Sequence, residues 1–212
     1  MKKTMPQLYA ITDSQLMPDE KLFEGVLAAL KGGCKLVQYR DKSTDQARRI
    51  SDAKILLNLC QQHQAQLIIN DDVALAQQIG AHGVHLGQGD ISALAARLIL
   101  GSNAIIGVTC HDSIALAQQA IKDSANYVAF GRFFPSSTKP GARPAPISLI
   151  GEARKAIGDV PIAVIGGITL ENAKVLVDAG ADYLAVCNDL FGARDIQQNA
   201  KLFNLKASEK NQ

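Results

Sequence analysis

Several things are scarce in this chain of 212 residues, and each scarcity removes a class of function. An excess of charge of one sign is nearly absent: 22 Lys and Arg stand against 20 Asp and Glu, a formal net charge of +2, too small for bulk attraction to nucleic acid. No apolar run approaches the ~20 residues that cross a bilayer. The opening "MKKTMPQLYAITD" has two lysines but no long apolar core behind them, so a signal peptide is not expected and the cytoplasm is. Cys34, Cys60, Cys110 and Cys187 form neither a C-x-x-C pair nor a metal-ligand spacing, and read as small buried thiols. Glycine is missing from the stretch after the first strand-like run, "TDSQLMPD", where an open dinucleotide-binding sheet would carry its phosphate loop.

What is present is a folded composition, 47% hydrophobic and 20% charged, and a repeating strand-then-helix pattern. Strand-like runs fall at 8–12, 36–40, 67–70, 83–86, 104–109, 127–130, 162–166 and 183–187. Helical stretches follow each near 19–31, 44–63, 72–79, 91–100, 112–123, 146–157, 169–179 and 195–204. In the second, Ala47, Ile50, Ala53, Lys54, Leu57 and Cys60 recur at helical steps behind the N-cap chemistry of Ser43-Thr44-Asp45. Glycines close helices just before new strands, as in "KGGCKLVQ" and "DAGADYLAV". Eight alternations with buried-type strands predict a single-domain α/β protein, a (β/α)8 TIM barrel over 1–205. The short third unit is the hardest to fit. The polar tail 206–212 is expected to be disordered.

In such a barrel the carboxyl ends of the strands build the site. Those ends collect Thr12-Asp13, Gln38/Arg40/Lys42, Asn70-Asp71, His85/Gln88/Asp90, Thr109/His111, Gly131, Gly166-Gly167 and Cys187-Asn188. Gln38, Arg40 and Lys42, spaced two apart in "VQYRDK", would share one strand face. Cations, amides and carboxylates together suit a phosphorylated substrate with a divalent cation. Asp71 and Asp90 are candidate Mg²⁺ ligands, although an Asp at 71 or 72 could equally cap the next helix. The "VIGGIT" turn offers backbone N–H groups to an anion, though a tight turn needs glycine anyway. The loop 133–146, rich in Pro, Gly and Ser, reads either as a lid carrying Ser136, Ser137, Thr138, Lys139 and Arg143 or as a plain solvated loop. His85 is expected to make structural hydrogen bonds, while His111 could do that or carry protons.

The ordered stretches "LYAITD", "LVQYRDK", "LIINDD", "GVHLGQGD", "IIGVTCHD", "YVAFGRFFPSSTKP", "VIGGIT" and "GADYLAV" resemble the thiamine-phosphate synthase family over nearly the whole chain. The resemblance implies a Mg²⁺-dependent transferase of thiamine biosynthesis that joins a pyrimidine diphosphate to a thiazole phosphate and releases pyrophosphate. It implies that Gln38, Tyr39, Arg40, Asp41, Lys42, Asn70, Thr109 and Lys139 hold the pyrimidine diphosphate, with Arg40, Lys42 and Lys139 catalytic. Asp71 and Asp90 would hold Mg²⁺; Ser136, Ser137, Thr138, Gly167, Cys187 and Asn188 would hold the thiazole phosphate. Thr109 stands where the family often has Ser, Ser136 where it has Thr, and Asn188 where it has Ser, with Asp189 beside it. Expected partners are phosphorylated small molecules, without nucleic acid or membrane; a homo-oligomer is left open. Rival readings are a thiazole tautomerase, a thiamine-phosphate-binding regulator and a phosphate-sugar isomerase barrel. The tautomerase would not need the diphosphate clamp of Gln38, Arg40, Lys42, Asp71, Asp90 and Lys139, the regulator would bind without releasing pyrophosphate, and the isomerase has no reason for the "QYRDK" strand.

Overall fold

Short runs that are apolar on alternate and on adjacent positions can be buried only if both strand faces are covered. The computed structural model describes residues 7–135 and 144–208, and there the runs meet that demand by closing on themselves. The order is β1 (Gln7–Ile11), α1 (Glu20–Lys31), β2 (Leu36–Tyr39), α2 (Gln46–Gln62), β3 (Gln66–Asn70), α3 (Val73–Ile79), β4 (Gly83–Leu86) and α4 (Ala93–Leu100). It continues with β5 (Ile105–His111), α5 (Ile114–Lys122), β6 (Tyr127–Gly131), α6 (Ser148–Ile157), β7 (Ile162–Ile165), α7 (Ala173–Asp178), β8 (Tyr183–Val186), α8 (Asn188–Phe191) and α9 (Ile196–Ser208). Every strand pairs in parallel with its sequence neighbours, and β8 returns to β1 through Leu8 opposite Leu184 and Ala10 opposite Val186. The expected TIM barrel is therefore the observed one, and the short third unit is bridged by α3.

The two strand faces feed two cores. In β1, Leu8 and Ala10 join the large layer between strands and helices, whereas Tyr9 and Ile11 join the smaller barrel interior with Leu36, Ile68, Tyr127 and Ala163. Room for the Tyr127 ring comes from Gly107 on the neighbouring strand, where a Cβ would lie 1.9 Å from Tyr127 Cζ. Helix starts are capped at the strands' carboxyl side, as expected for α2: Asp45 Oδ1 accepts from Arg48 N at 3.0 Å. Asp72 Oδ1 does the same for Leu75 N at 2.8 Å and Ser113 Oγ for Leu116 N at 3.3 Å.

Five features differ from the sequence reading. β2 ends at Tyr39, so Arg40 and Lys42 belong to the following loop. β5 extends to His111 through a register shift between Thr109 and His111. The buried stripe of α2 uses Leu56 with Ala53 and Cys60, while Leu57 packs only partly. After β8 a four-residue helix, α8, appears. α9 continues past residue 205 to Ser208 because Ala200, Phe203 and Ala207 keep the helical three-to-four spacing and are all buried; residues 209–212 lie outside the described residues. Among the described residues no helix is long and apolar enough to cross a membrane.

Candidate active site

Strand alternation sorts the "VQYRDK" residues into two groups. Gln38 points into the barrel, 2% exposed, and its Nε2 donates to Tyr9 Oη at 2.6 Å. Beyond the strand end the cations part company. Arg40 turns toward β1, where its Nη1 lies 3.5 Å from Asp13 Oδ2, while Lys42 reaches the other way and pairs with Asp71. The three thus serve one mouth but do not lie along one strand face as expected. Tyr39 and Asp41 take the opposite side. Tyr39 Oη is 3.3 Å from Asp41 Oδ2 and 3.4 Å from Asp52 Oδ2, and Asp41 accepts from Ser43 N at 2.7 Å and from Arg48 Nη2 at 2.8 Å. Burial pushes the Asp41 carboxyl up, but the Ser43 hydrogen bonds and the Arg48 charge hold it below the ordinary value. The side chains of Tyr39 and Asp41 therefore brace the junction of β2 and α2, and Asp41 also borders the cleft that Lys42 lines.

An acidic corner forms where β3 and β4 end. A cleft of about 1000 Å³ opens there, lined by Lys42, Arg49, Asn70, Asp71 and Asp90 among others. Asp71 sits in the left-handed region (φ 62°), which Asp tolerates better than most residues, and its N–H is held by the carbonyl of His85 at 2.8 Å. Its neighbour Asp72, not Asp71, caps α3. Arg49 Nη2 steadies that cap at 2.8 Å from Asp72 Oδ2. Partial burial raises the Asp71 carboxyl, yet hydrogen bonding to Lys42 and Asp90 and the Lys42 charge bring it below its usual value. Asp90 goes up, first by desolvation and then because the Asp71 charge faces it; the Gly87 N–H, 2.7 Å away, opposes the rise. Two carboxylates within hydrogen-bonding reach of each other, beside one ammonium, fit a hard divalent cation that completes its shell with substrate oxygens and water. Among the described residues no cluster of three or more His, Cys, Asp or Glu competes as a metal site.

Beneath the mouth the interior is polar. Tyr9 Oη and Tyr127 Oη are 2.8 Å apart, His85 Nδ1 lies 2.9 Å from Tyr127 Oη, and His85 Nε2 lies 2.8 Å from Thr109 Oγ1. Burial drives the Tyr9 and Tyr127 phenols well above their usual values, so both keep their protons. His85 thus makes the hydrogen bonds expected of it, and His111 sits exposed at the end of β5.

The opposite rim holds the Gly-Gly turn. Gly166 and Gly167 adopt φ of 105° and 59°, and a Cβ on Gly167 would stand 2.2 Å from the Pro135 carbonyl, so side chains are excluded twice over. Asn172 fastens the turn, accepting from Thr169 N at 2.8 Å and donating to Gly167 O at 2.9 Å. Asp189 on α8 accepts from Leu170 N at 3.2 Å. The N–H groups of Gly167 and Ile168 have no acceptor among the described residues, which leaves them for an anion. Cys187 and Asn188 open α8 next to this turn. Burial, with Asp13 adding and Arg40 opposing, pushes the Cys187 thiol up to about 12; burial does the same to Cys110. Neither is poised as a nucleophile. Ser136, Ser137, Thr138, Lys139 and Arg143 lie outside the described residues.

Sequence reasoning missed Asp13 as the partner of Arg40, although it stood at a strand end, and missed Tyr9 and Tyr127 altogether. It also gave no weight to Ile165, which is 37% exposed at the end of β7 and offers apolar surface at the mouth.

Comparison with known proteins bears on the family and the fold. The model of the family described as thiamine monophosphate synthase matches residues 8–190. The chain is 53% identical over 201 residues to the thiamine-phosphate synthase of Marinobacter nauticus, covering 94% of this chain and 90% of that one. The solved thiamine phosphate pyrophosphorylase from Pyrococcus furiosus superposes with a TM-score of 0.87 at 29% identity, covering 98% of each chain. The corresponding protein of Bacteroides thetaiotaomicron, at 17% identity over 98% of this chain and 100% of that one, shares the fold with a TM-score of 0.71. With a barrel of this topology, a mouth of this composition and a match over most of its length, the chain belongs to the thiamine monophosphate synthase family.

Proposed function

We propose that this chain is a cytoplasmic thiamine-phosphate synthase that couples 4-amino-2-methyl-5-(diphosphooxymethyl)pyrimidine with thiazole phosphate, giving thiamine phosphate and pyrophosphate. The observation that carries this reading is the grouping of Lys42, Asp71 and Asp90 at one side of the mouth, with Arg40 and the Gly167 turn, whose N–H groups have no acceptor among the described residues, around the rest. One side suits a diphosphate with its metal, the other a phosphate monoester.

In the proposed arrangement Gln38, Asn70 and Thr109 orient the pyrimidine diphosphate, and Arg40, Lys42 and Lys139 surround its phosphates. A Mg²⁺ held by Asp71 and Asp90 would supply neutralisation of the charge that grows on the departing diphosphate. The methylene C–O bond breaks with its electron pair going to pyrophosphate, and Arg40 and Lys42 stabilise that developing charge. The pyrimidine ring amine stabilises the methylene cation left behind. Ser136, Ser137, Thr138, Gly167, Cys187 and Asn188 hold the thiazole phosphate so that its ring nitrogen closes the new C–N bond. Positioning of two bound reactants supplies much of the acceleration, and the protonated thiols take no part. Tyr39 and Asp41 contribute by fixing the loop that carries Arg40 and Lys42.

Mass spectrometry of the purified chain incubated with both substrates and Mg²⁺ tests the reading. Thiamine phosphate as product supports it. Unchanged pyrimidine diphosphate alongside an isomerised thiazole carboxylate would replace it with the tautomerase reading.

A further inference from the structure

Five side chains from five strands are linked by hydrogen bonds through the barrel: Gln38, Tyr9, Tyr127, His85 and Thr109. Its two ends, Gln38 and Thr109, are residues proposed above to orient the pyrimidine diphosphate. Its three middle members have no role in that proposal.

The protons in the series can be placed one after another. Gln38 Nε2 can only donate, so Tyr9 Oη accepts from it at 2.6 Å. The Tyr9 proton then has a single remaining acceptor among the described residues, Tyr127 Oη at 2.8 Å. Tyr9 is 1% exposed, so a phenol proton left without an acceptor there would be unfavourable. Tyr127, having accepted, donates to His85 Nδ1 at 2.9 Å. An imidazole that accepts at Nδ1 carries its proton at Nε2, which donates to Thr109 Oγ1 at 2.8 Å. The Thr109 proton finds no acceptor among the described residues, and Thr109 is half-buried at the end of the barrel where the mouth opens. Running the series the other way would spend that proton on His85 and turn only lone pairs toward an anionic ligand.

We propose that Tyr9, Tyr127 and His85 are positioning residues: through this one-directional series they hold the Thr109 hydroxyl as a hydrogen-bond donor toward the diphosphate, and they tie its orientation to that of Gln38. This deepens the synthase reading and rests on it for the identity of the ligand, but the proton placement stands on the barrel interior alone.

The test pairs ¹⁵N NMR of the histidines with a mutant cycle. In the wild-type chain without ligand, His85, assigned by its loss in His85→Gln, is expected as the neutral Nε2–H tautomer, and Tyr127→Phe is expected to erase that preference. In steady state, Tyr127→Phe should lower kcat/KM for the pyrimidine diphosphate roughly tenfold, the scale of one hydrogen bond to a charged group, with KM for thiazole phosphate unchanged. In a Thr109→Val background the same substitution should cost nothing further. An Nδ1–H or doubly protonated His85, full activity in Tyr127→Phe, or additive losses in the double variant would overturn the proposal. If the wild-type chain forms no thiamine phosphate, the synthase reading fails on its own, and the tautomer measurement still decides the proton series.

Discussion

Asp189 Oδ2 lies 3.2 Å from the Leu170 backbone nitrogen and accepts its proton, so an acidic side chain beside the Gly-Gly turn is tied to the backbone of that turn. This is how Asp189 can sit next to Asn188 on a rim that otherwise presents N–H groups. Asn188→Ser, which retains a polar donor at the helix start, is expected to leave the affinity for thiazole phosphate unchanged or improve it. Asp189→Ala should instead leave the Leu170 N–H without its partner and lower stability by about 1 kcal/mol. Titration calorimetry with thiazole phosphate and urea unfolding check the two; a large loss of affinity in Asn188→Ser would show that the amide has its own place in the site.

Lys42 and Asp90 test the acidic corner. Either Lys42→Ala or Asp90→Ala is expected to lower kcat by on the order of 100-fold or more with the circular dichroism spectrum unchanged, the scale seen when one preorganised charge-stabilising group is removed. Near-normal turnover in a folded variant would remove that residue from the clamp. The pair also sets a pH dependence. A carboxyl must be ionised to bind a metal, and Asp90 is shifted up by desolvation and by Asp71. The Mg²⁺ concentration for half-maximal rate should therefore rise as pH falls through that raised value, at a higher pH than an ordinary carboxylate would give. Asp71, shifted down, stays ionised through the same range.

Asp41 offers a test of stability. Its carboxyl is almost buried against Arg48 and Ser43 and titrates below its ordinary value. A depressed folded-state value means stabilisation that is complete above the unfolded value of about 3.9 and lost as pH falls through the lower folded one. Asp41→Asn should thus cost on the order of 1–3 kcal/mol at neutral pH, measured by urea unfolding, with the deficit shrinking only under strongly acid conditions. A deficit that does not change with pH would mean that packing, not charge, accounts for the loss.

The barrel was legible because each strand announces itself locally: "LYAIT" or "IAVIG" is too apolar to be anything but a two-sided buried strand. The polar strand ends were legible for the same reason, since the apolar runs stop at them. Residues whose role depends on distant partners were not. Period-two alternation turns Tyr9 inward, but nothing near it says that its hydroxyl will meet that of Tyr127, 118 positions away. Tyr39 and Asp41 lie inside a stretch that matches the family throughout, and only the end of β2 at Tyr39 and the reach of Arg48 show that their side chains face the helix layer. α8 escaped notice because four residues hold too little periodicity to be seen. The α9 boundary was set by the polar look of "KASEKNQ", which outweighed a single buried alanine, Ala207.

The most direct measurement is pyrophosphate release by the purified chain, followed against thiamine phosphate formed, with Mg²⁺ and again with excess chelator. The account predicts one pyrophosphate per thiamine phosphate, and no release when either substrate or the metal is withheld. Binding of both substrates without release, or release that persists in chelator, would contradict it.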